Sequence, residues 1–250
     1  MAGRSFAIGD IHGDVTALMT LLGRLPYMDG DDTIVFMGDY IDRGPDSAKV
    51  VEIVRSWLPG HSLAKIVSLR GNHEDAWLRV ASQGWAEYVI PPTNGCFQCY
   101  RSFIGGKPPT PDERPTQADF QSMLAANFFP PQVLAWMRTL PYWYEDKHAI
   151  YVHAGLPIKD GKFLHPSQVD NQQTLLWVRT EEFFRSYRGK PVVVGHTTTD
   201  TLPPELSTYT PSDPKDMWAG ECVYAIDTGS GKGGFLTCLE LPSMTVYESR

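Results

Sequence analysis

Apolar and amphipathic stretches alternate through the first third of the chain. Three short runs are dominated by apolar residues, as in strands buried on both faces of a sheet. They cover residues 6–8, 33–37 and 63–69. Elsewhere apolar residues recur every three or four positions, which predicts amphipathic helices after Asp14, near 50–58 and at 74–82. Strands that alternate with helices indicate a sheet of parallel strands.

The last third of the chain is rich in strand-like runs. They cover residues 149–152, 192–194, 223–226, 235–241 and 245–247. The connections there are short and contain glycine, which predicts hairpins. Taken with the first third, the pattern predicts an α/β (α+β) fold in which a central β-sandwich of two sheets is flanked by helices.

A segment at about 84–145 differs from the regions on either side. It contains several proline pairs with aromatic residues between them, and two short helices are predicted in it, at 118–127 and 132–140. The segment is short for a core of its own, so we interpret it as a cap-like insertion in one domain that covers residues 1–250. A proline- and threonine-rich loop at 197–214 is a second candidate for the rim of a site.

The net charge and the lengths of the apolar runs argue against two classes of protein, nucleic-acid-binding proteins and membrane proteins. The net charge of −7 argues against a general nucleic-acid surface, which would carry basic clusters. No apolar run approaches the roughly 20 residues needed to cross a bilayer, so no membrane partner is expected. The first motif begins at Gly9, which leaves no room for a signal peptide and predicts a cytoplasmic protein.

Two of the four cysteines, Cys96 and Cys99, form a C-x-x-C pair. A structural zinc site would need two further ligands, and the sequence has no second pair at a matching spacing. A redox pair is the alternative, but no thioredoxin-like context surrounds it. We therefore expect reduced thiols here, and small core residues at Cys222 and Cys238.

Segments that join glycine to polar side chains fall at the ends of the predicted strands. They are Gly9-Asp10-Ile11-His12-Gly13, Gly38-Asp39-Tyr40-Ile41-Asp42-Arg43-Gly44, Gly71-Asn72-His73-Glu74, His153 and Gly195-His196. In open α/β sheets, ligands bind at the edge formed by the carboxyl ends of the strands. Carboxylate, imidazole and amide oxygen are the ligand types that a two-metal hydrolytic centre requires.

Six of these side chains are candidate metal ligands, namely Asp10, His12, Asp39, Asn72, His153 and His196. Side chains at i and i+2 of an extended segment point the same way, so Asp10 and His12 can reach one ion. Asp39 has two carboxylate oxygens and could bridge two ions, which lie roughly 3.5–4 Å apart in such centres. A solvent molecule that bridges the ions would be acidified toward hydroxide and act as the nucleophile.

Four further residues are candidates for substrate chemistry. His73 follows a candidate ligand directly, and we expect it to protonate a leaving-group oxygen as general acid. Asp42 could hold the tautomer of His73, as carboxylate–imidazole pairs do. Arg43 and Arg179 carry planar guanidinium groups suited to phosphate oxygens. Together these residues predict hydrolysis of a phosphate ester.

The ordered motifs GDIHG, GDYIDRG, GNHE, H-A-G and GHT resemble those of the calcineurin-like metallophosphoesterases. More narrowly, the chain resembles the phosphoprotein phosphatase family, the metal-dependent serine/threonine protein phosphatases. The bacterial and phage branch of that family is similar in its W-x-R element, here Trp177 and Arg179, and in an I-D-T-G run, here at 226–229. The resemblance implies a central β-sandwich flanked by helices, which agrees with the fold predicted from the pattern of apolar residues.

The resemblance also implies a role for each candidate residue. The first metal would be held by Asp10, His12 and Asp39, and the second by Asp39, Asn72, His153 and His196. His73 and Asp42 would form the general acid pair, and Arg43 and Arg179 would bind phosphate. The expected cofactors are two divalent ions, with manganese first and iron or zinc as alternatives. The expected partner is a phosphorylated protein or peptide.

The expected activity is hydrolysis of phosphoserine and phosphothreonine in proteins, with phosphotyrosine as a further substrate. The alternative within the same fold is a dinucleoside-polyphosphate hydrolase of the diadenosine tetraphosphate type. Such relatives tend to carry GDLVARG and GNHD, where this chain has Asp42 and Glu74. A catalytically inactive binding module is a third possibility, and it would predict the loss of a ligand or of His73.

Overall fold

Two five-stranded sheets form the centre of the computed structural model, which describes residues 3–209 and 213–250. Residues 210–212 of the predicted 197–214 loop lie outside the described residues. In chain order the strands are β1 (Ser5–Ile8), β2 (Thr33–Phe36), β3 (Lys65–Ser68), β4 (Trp143–Glu145), β5 (Ile150–Val152), β6 (Ile158–Lys159), β7 (Lys162–Phe163), β8 (Val192–Val194), β9 (Trp218–Ala219), β10 (Val223–Ala225), β11 (Thr237–Leu241) and β12 (Thr245–Glu248).

Both sheets are mixed: the first has parallel strands on one side and antiparallel strands on the other, and the second has parallel strands at its centre and an antiparallel strand at each edge. The first has the order β12-β11-β1-β2-β3, with β1, β2 and β3 parallel as predicted. The second has the order β4-β5-β8-β10-β9, with β5, β8 and β10 parallel. Of the predicted hairpins, the one at β11–β12 is present, and β10 forms a further hairpin with β9, a strand that was not predicted. The hairpin prediction is wrong for β5, β8 and β10, because parallel neighbours need longer crossover connections.

Alternate residues of the central strands pack on opposite faces of their sheet. In β1, Ala7 lies in the apolar cluster between the two sheets, while Phe6 and Ile8 lie in the cluster beneath the helices. In β8, Val193 lies between the sheets, and Val192 packs outward. Because both faces of these strands are covered, most of their positions are apolar, and this is why the strands appear in the sequence as apolar runs.

Helices cover the outer face of each sheet. They are α1 (Val15–Leu22), α2 (Ser47–Glu52), α3 (Leu58–His61), α4 (Asn72–Gln83), α5 (Ala86–Val89), α6 (Cys96–Phe103), α7 (Gln117–Ala125), α8 (Pro131–Thr139), α9 (Thr174–Trp177) and α10 (Glu181–Ser186). The first four pack on the first sheet, and the last two pack on the second. The predicted β-sandwich flanked by helices is therefore confirmed. Among the described helices, none is both long enough and apolar enough to cross a bilayer.

The 84–145 segment contributes α5 to α8, and its two predicted helices are present as α7 and α8. Phe129 and Met137 of this segment are buried in the same apolar cluster as Trp77 of α4. The core of the segment is thus continuous with the core beneath the first sheet. The assignment of residues 1–250 to one domain with a cap-like insertion stays a prediction.

The cysteines are unbridged, and three of the four are buried. Cys96 and Cys99 lie in the cluster beneath the first sheet, where burial raises the pKa of both thiols. Cys238 is buried in β11 as predicted. Cys222 differs from the prediction, because it lies just before β10 and is only half-buried.

A close approach between two loops gives a test of the fold. Gly38 has a φ of +103°, and a Cβ on it would lie 2.6 Å from the Cα of Gly71. We expect Gly38→Ala to lower the free energy of unfolding by about 2–4 kcal/mol, since a backbone clash adds to left-handed strain.

Gly84→Ala is the matched control. Gly84 also has a positive φ, +71°, but open space surrounds its missing Cβ. Gly84→Ala should lower the free energy of unfolding by only about 1 kcal/mol, because the left-handed backbone is the only source of strain there. Urea denaturation of the two variants measures the difference, and equal losses would contradict the role given to the Gly38–Gly71 contact.

Candidate metal centre

The six predicted ligands lie together at the carboxyl ends of five strands. Asp10 and His12 follow β1, Asp39 follows β2, Asn72 begins α4 after β3, His153 follows β5, and His196 follows β8. All six are buried. Both sheets contribute, and the backbone N–H of His196 donates to Asp10 Oδ2 at 3.0 Å. The fold therefore brings the predicted ligands to one place.

His12 points an unprotonated ring nitrogen into this site. Its Nδ1 lies 3.0 Å from the carbonyl oxygen of Ile41, which can only accept, so Nδ1 carries the hydrogen of the neutral ring. Nε2 therefore holds a lone pair. It lies 3.4 Å from Asp39 Oδ2 and 4.0 Å from Asp10 Oδ2. Three acceptor atoms that face one another in this way fit a cation between them.

A second group of acceptors lies on the other side of Asp39. The Nδ1 of His153 donates to the carbonyl oxygen of Met37 at 2.8 Å, which leaves a lone pair on Nε2. That nitrogen lies 2.9 Å from Asn72 Oδ1 and 3.5 Å from Asp39 Oδ1. His196 Nδ1 lies 2.8 Å from the same Asn72 oxygen. Asp39 thus faces both groups, one with each oxygen.

Unpaired buried atoms show that the donor set fits metal ions. Among the described residues, Asp10 Oδ1 and His196 Nε2 are buried and have no hydrogen-bond partner. Such an atom costs about 1–3 kcal/mol if it stays unsatisfied. Carboxylate, imidazole and amide ligands suit manganese, iron or zinc. Divalent ions at this site would therefore satisfy atoms that the protein itself leaves unpaired.

The ionisation states of the candidate ligands also fit a metal site. Burial lowers the pKa of His12, His153 and His196, so each imidazole is neutral, which is the form that binds metals. Burial by itself would raise the pKa of Asp39. Its pKa is nevertheless lowered, because the imidazolium of His73 lies close by and the backbone N–H of His73 donates to Oδ1 at 3.0 Å, so this carboxyl group is ionised. The site thus combines a carboxylate with neutral imidazoles.

The loops that carry these residues are strained. Five non-glycine residues of the predicted site have a positive φ, namely His12 (+48°), Asp39 (+54°), Asp42 (+70°), Arg43 (+66°) and His196 (+63°). Left-handed backbone costs a non-glycine residue roughly 1–2 kcal/mol. Strain of this kind persists where the surrounding structure fixes the backbone, and it clusters at functional sites.

Glu74 holds two of these loops together, a role that the sequence analysis missed. Its carboxylate accepts from the backbone N–H groups of Asp39 and Tyr40 at 2.9 Å, and from that of Gly71 at 3.0 Å. The loop after β2 is thereby tied to the start of α4. A glutamate at the third position of a helix often caps that helix, and this was the available signal. The link to residues 39 and 40 is tertiary.

His73 and Asp42 are paired as predicted, since His73 Nδ1 lies 2.7 Å from Asp42 Oδ2. Burial alone would lower the pKa of His73, but the carboxylates of Asp39 and Asp42 outweigh it and raise that pKa. His73 Nε2 lies 3.8 Å from Asp39 Oδ2. His73 therefore also lies within reach of the first group of acceptors, beside His12 and Asp39.

Two aromatic residues complete the surroundings of Asp42, and neither was singled out from the sequence. Trp77 Nε1 donates to Asp42 Oδ1 at 2.9 Å. The hydroxyl of Tyr88 lies 2.5 Å from Asp42 Oδ2 and 2.7 Å from His73 Nδ1. In the sequence, Trp77 is one of the apolar residues that recur along α4, and Tyr88 lies in the 84–145 segment, away from the glycine-containing motifs. No local sequence pattern therefore predicts that either residue contacts Asp42.

Arg43 and Arg179 line an open cleft of about 460 Å³ above the ligands. Arg43 Nη1 lies 2.8 Å from His12 Nε2. Arg179 lies two residues beyond α9, where its guanidinium donates to the carbonyl oxygen of His196 and to Thr197 Oγ1, both at 3.3 Å. The structure thus places both predicted phosphate-binding residues beside the ligand groups.

Asp227 and Lys232 are further residues at this site without a role assigned from the sequence. Lys232 lines the cleft, and its Nζ lies 3.4 Å from Asp227 Oδ2. Burial raises the pKa of Asp227 to about 6. Burial and the charges of Asp227 and Asp39 also raise the pKa of Asp10. Several carboxyl groups are therefore crowded here, and bound cations would lower the repulsion between them.

A helix-flanked β-sandwich that gathers such ligands at its strand ends is the structure of a metallophosphoesterase. Residues 3–211 match the family model described as calcineurin-like phosphoesterase, and the chain belongs to that family. This match covers most of the chain, and it includes all six candidate ligands.

Relatives of two kinds are similar to this chain. It is 38% identical over 81 residues to serine/threonine-protein phosphatase 1 of Salmonella typhimurium, covering 31% of this chain and 34% of that protein. It is 36% identical over 70 residues to the symmetrical bis(5'-nucleosyl)-tetraphosphatase of Pectobacterium atrosepticum, covering 28% and 23%. The alignments thus span about a third or less of these relatives.

A solved structure supports the fold over nearly the whole chain. A candidate diadenosine tetraphosphatase of known structure matches with a TM-score of 0.61 and 21% identity. The match covers 99% of this chain and 93% of that one. At this identity the likeness shows the fold alone.

Manganese should stabilise the folded protein, because it would pair acceptors that now face one another. At about 100 times its Kd, we expect the ion to raise the free energy of unfolding by about 2.7 kcal/mol. Asp39→Asn should lose most of this gain, since the carboxylate faces both ligand groups. Thermal unfolding with and without manganese chloride, together with the metal content of the dialysed protein, measures the effect.

The control for this experiment is Asp200→Asn, which removes an exposed carboxylate outside the ligand groups. This variant should respond to manganese as the wild type does. An Asp39→Asn protein stabilised as strongly as the wild type would contradict the assignment of Asp39.

Proposed function

We propose that this protein is a metal-dependent phosphomonoesterase that hydrolyses phosphoserine and phosphothreonine in proteins, with phosphotyrosine as a further substrate. One observation carries the proposal. Arg43, Arg179 and the candidate ligand His196 line one cleft, and the His73–Asp42 pair lies beside the ligand groups below it. Each supplies a different requirement of phosphate-ester hydrolysis, namely an activated nucleophile, a proton for the leaving group and compensation of phosphate charge.

We assign the ligands to two divalent ions, manganese first, with iron or zinc as alternatives. The first ion would be held by Asp10, His12 and Asp39, and the second by Asp39, Asn72, His153 and His196. When bound, the ions would polarise the phosphoryl group and acidify a water molecule. The distances from Asp39 Oδ2 to His12 and from Asp39 Oδ1 to His153 support a shared carboxylate.

The arginines bind and orient the phosphate in this proposal. A guanidinium group offers paired N–H donors that match two phosphate oxygens, and it stays charged at any physiological pH. Arg179 is exposed, but two hydrogen bonds already restrict its side chain, so part of the entropy cost of binding is met beforehand. Arg43 would exchange its contact with His12 for the phosphate once a metal occupies the His12 lone pair.

His73 delivers the proton to the departing oxygen. Its Nδ1 is directed at Asp42, so the proton that leaves comes from Nε2, which faces the ligand groups. The raised pKa of His73 means that the imidazolium form, which can donate, is favoured. Asp42 stabilises that form and fixes the orientation of the ring.

The surface beside the cleft supports a peptide substrate. Pro92 and Gln98 line the cleft and also line an adjoining groove of about 550 Å³. The walls of this groove are mainly apolar and include Ile90, Phe97 and Phe120. A phosphorylated side chain in the cleft would place the neighbouring residues of its peptide along this groove.

The second candidate function is hydrolysis of dinucleoside polyphosphates. It is favoured by the similarity of the chain to a symmetrical bis(5'-nucleosyl)-tetraphosphatase at nearly the same identity as to the protein phosphatase. Both activities would use the same metal ligands and arginines. The two proposals differ in what lies beyond the phosphate, a peptide chain or a nucleoside.

We also propose a reducing, cytoplasmic environment. Cys96 and Cys99 are unbridged and buried, and structural disulfides are rare in proteins of that compartment. The proposed partner there is a phosphorylated protein.

A substrate panel decides between the two functions. With the manganese-loaded protein, we expect kcat/KM for serine and threonine phosphopeptides to exceed that for diadenosine tetraphosphate by at least about 10-fold, which is about 1.4 kcal/mol of transition-state binding. Peptides with apolar residues next to the phosphorylated residue should be the better ones, since the groove is apolar. A preference for the dinucleotide would overturn the protein-phosphatase assignment.

The role of His73 is tested by His73→Asn. We expect kcat for a phosphopeptide to fall by about 10²–10⁴-fold, the usual contribution of a general acid. Because His73 lies within reach of the first ligand group, the metal content of the variant must be measured as well. Unchanged metal content with low kcat supports the acid role, whereas loss of metal would make His73 a ligand. His61→Asn, on the exposed surface, is the control.

A further inference from the structure

The hydrogen bonds around Asp42 include one from the 84–145 segment. Tyr88 Oη lies 2.5 Å from Asp42 Oδ2, and Trp77 Nε1 lies 2.9 Å from Asp42 Oδ1. These side chains and His73 are all buried. We propose that Tyr88 is a positioning residue that fixes the ring orientation and tautomer of His73. The inference rests on the general acid role of His73 in the proposed function.

Three polar atoms form a closed triangle at this point. His73 Nδ1 lies 2.7 Å both from Asp42 Oδ2 and from Tyr88 Oη. The carboxylate can only accept, so the single hydroxyl proton of Tyr88 goes to Oδ2. The hydroxyl oxygen is then left to accept, and the Nδ1 hydrogen of His73 lies between two acceptors. That arrangement selects the ring state with a proton on Nδ1 and directs Nε2 toward Asp39 and the first ligand group.

The position of Tyr88 is fixed by its own neighbours. Its ring stacks on Trp85, with centroids 5.5 Å apart and 25° between the planes. It meets Trp77 edge-on, at 6.0 Å and 85°. Its backbone carbonyl oxygen accepts from Asn94 Nδ2 at 2.8 Å. A hydroxyl held this firmly can orient a partner, because it does not have to be ordered first.

Substrates with different leaving groups separate a positioning role from a structural one. A weakly basic leaving group departs with little need of a proton, whereas a strongly basic one depends on the general acid. Misalignment of His73 should therefore lower kcat more for the substrate with the strongly basic leaving group. A loss of stability alone would slow both substrates equally.

The experiment compares 4-nitrophenyl phosphate, which has the weakly basic leaving group, with phenyl phosphate. In Tyr88→Phe, we expect kcat for phenyl phosphate to fall about 10-fold, as for residues that orient a functional imidazole. For 4-nitrophenyl phosphate we expect a fall of less than about 3-fold, because departure of its leaving group needs little general acid. KM should stay the same for both substrates, since the arginines are untouched.

Two further variants serve as the negative and the positive control for the ratio of the two kcat values. Tyr151→Phe removes another buried hydroxyl, 3.1 Å from Asp146 Oδ2 and remote from the His73–Asp42 pair, so it should leave the ratio of the two kcat values unchanged. His73→Asn should change that ratio in the same direction as Tyr88→Phe, and further.

The outcomes separate the inference from the function on which it rests. Equal losses on both substrates, or no loss, in a folded Tyr88→Phe protein overturn the role of Tyr88 while His73→Asn still shows dependence on the leaving group. If His73→Asn lacks that dependence too, the general acid assignment itself fails.

A measurement on the wild-type protein removes any dependence on how the variant folds. Nitrogen-15 NMR of the histidine rings in the metal-free protein reports which nitrogen of His73 carries hydrogen. We expect hydrogen on Nδ1. If Nδ1 were unprotonated, the Tyr88 hydroxyl would donate to the ring instead, and the inference would be wrong.

Discussion

The carboxylate of Asp39 makes the contacts on which the rest of the site depends. Its Oδ2 lies 3.4 Å from His12 Nε2, and its Oδ1 lies 3.5 Å from His153 Nε2. Burial would favour the protonated acid, but the imidazolium of His73 and the backbone N–H that His73 donates keep it ionised. One anion thus joins ligand groups contributed by two different sheets. In the function proposed above, this carboxylate would serve two ions at once, one with each oxygen.

Holding the Asp39 carboxylate in this buried position requires strained and tightly packed backbone, which lowers the stability of the fold. The backbone of Asp39 has a φ of +54°, and Gly38 passes so close to Gly71 that a side chain would not fit. Glu74 compensates by accepting three backbone hydrogen bonds from the two loops. The apolar sandwich beneath supplies the remaining stability. The packed sheets therefore hold the strained loops in place at the ends of the strands, which is where the candidate site lies.

The 84–145 segment takes part in the site as well as in the core. Tyr88 lies against the His73–Asp42 pair, Trp85 stacks on Tyr88, and Pro92 forms part of both the cleft and the adjoining groove. Because the segment shares its apolar cluster with α4, its position relative to His73 is fixed by packing. This one segment therefore borders both the His73–Asp42 pair and the apolar groove beside the cleft.

The sequence by itself determined the sandwich, the parallel start of the first sheet and the ten candidate site residues. These follow from local rules, since apolar periodicity defines strands and helices, and polar residues next to glycine mark the strand ends. Only the tertiary structure decided which strands of the last third are parallel, that Glu74 ties two loops together, and that Tyr88 and Trp77 reach Asp42. Those contacts join residues that lie 34 to 46 positions apart, and their geometry comes from how helices and sheets pack, which no local spacing encodes.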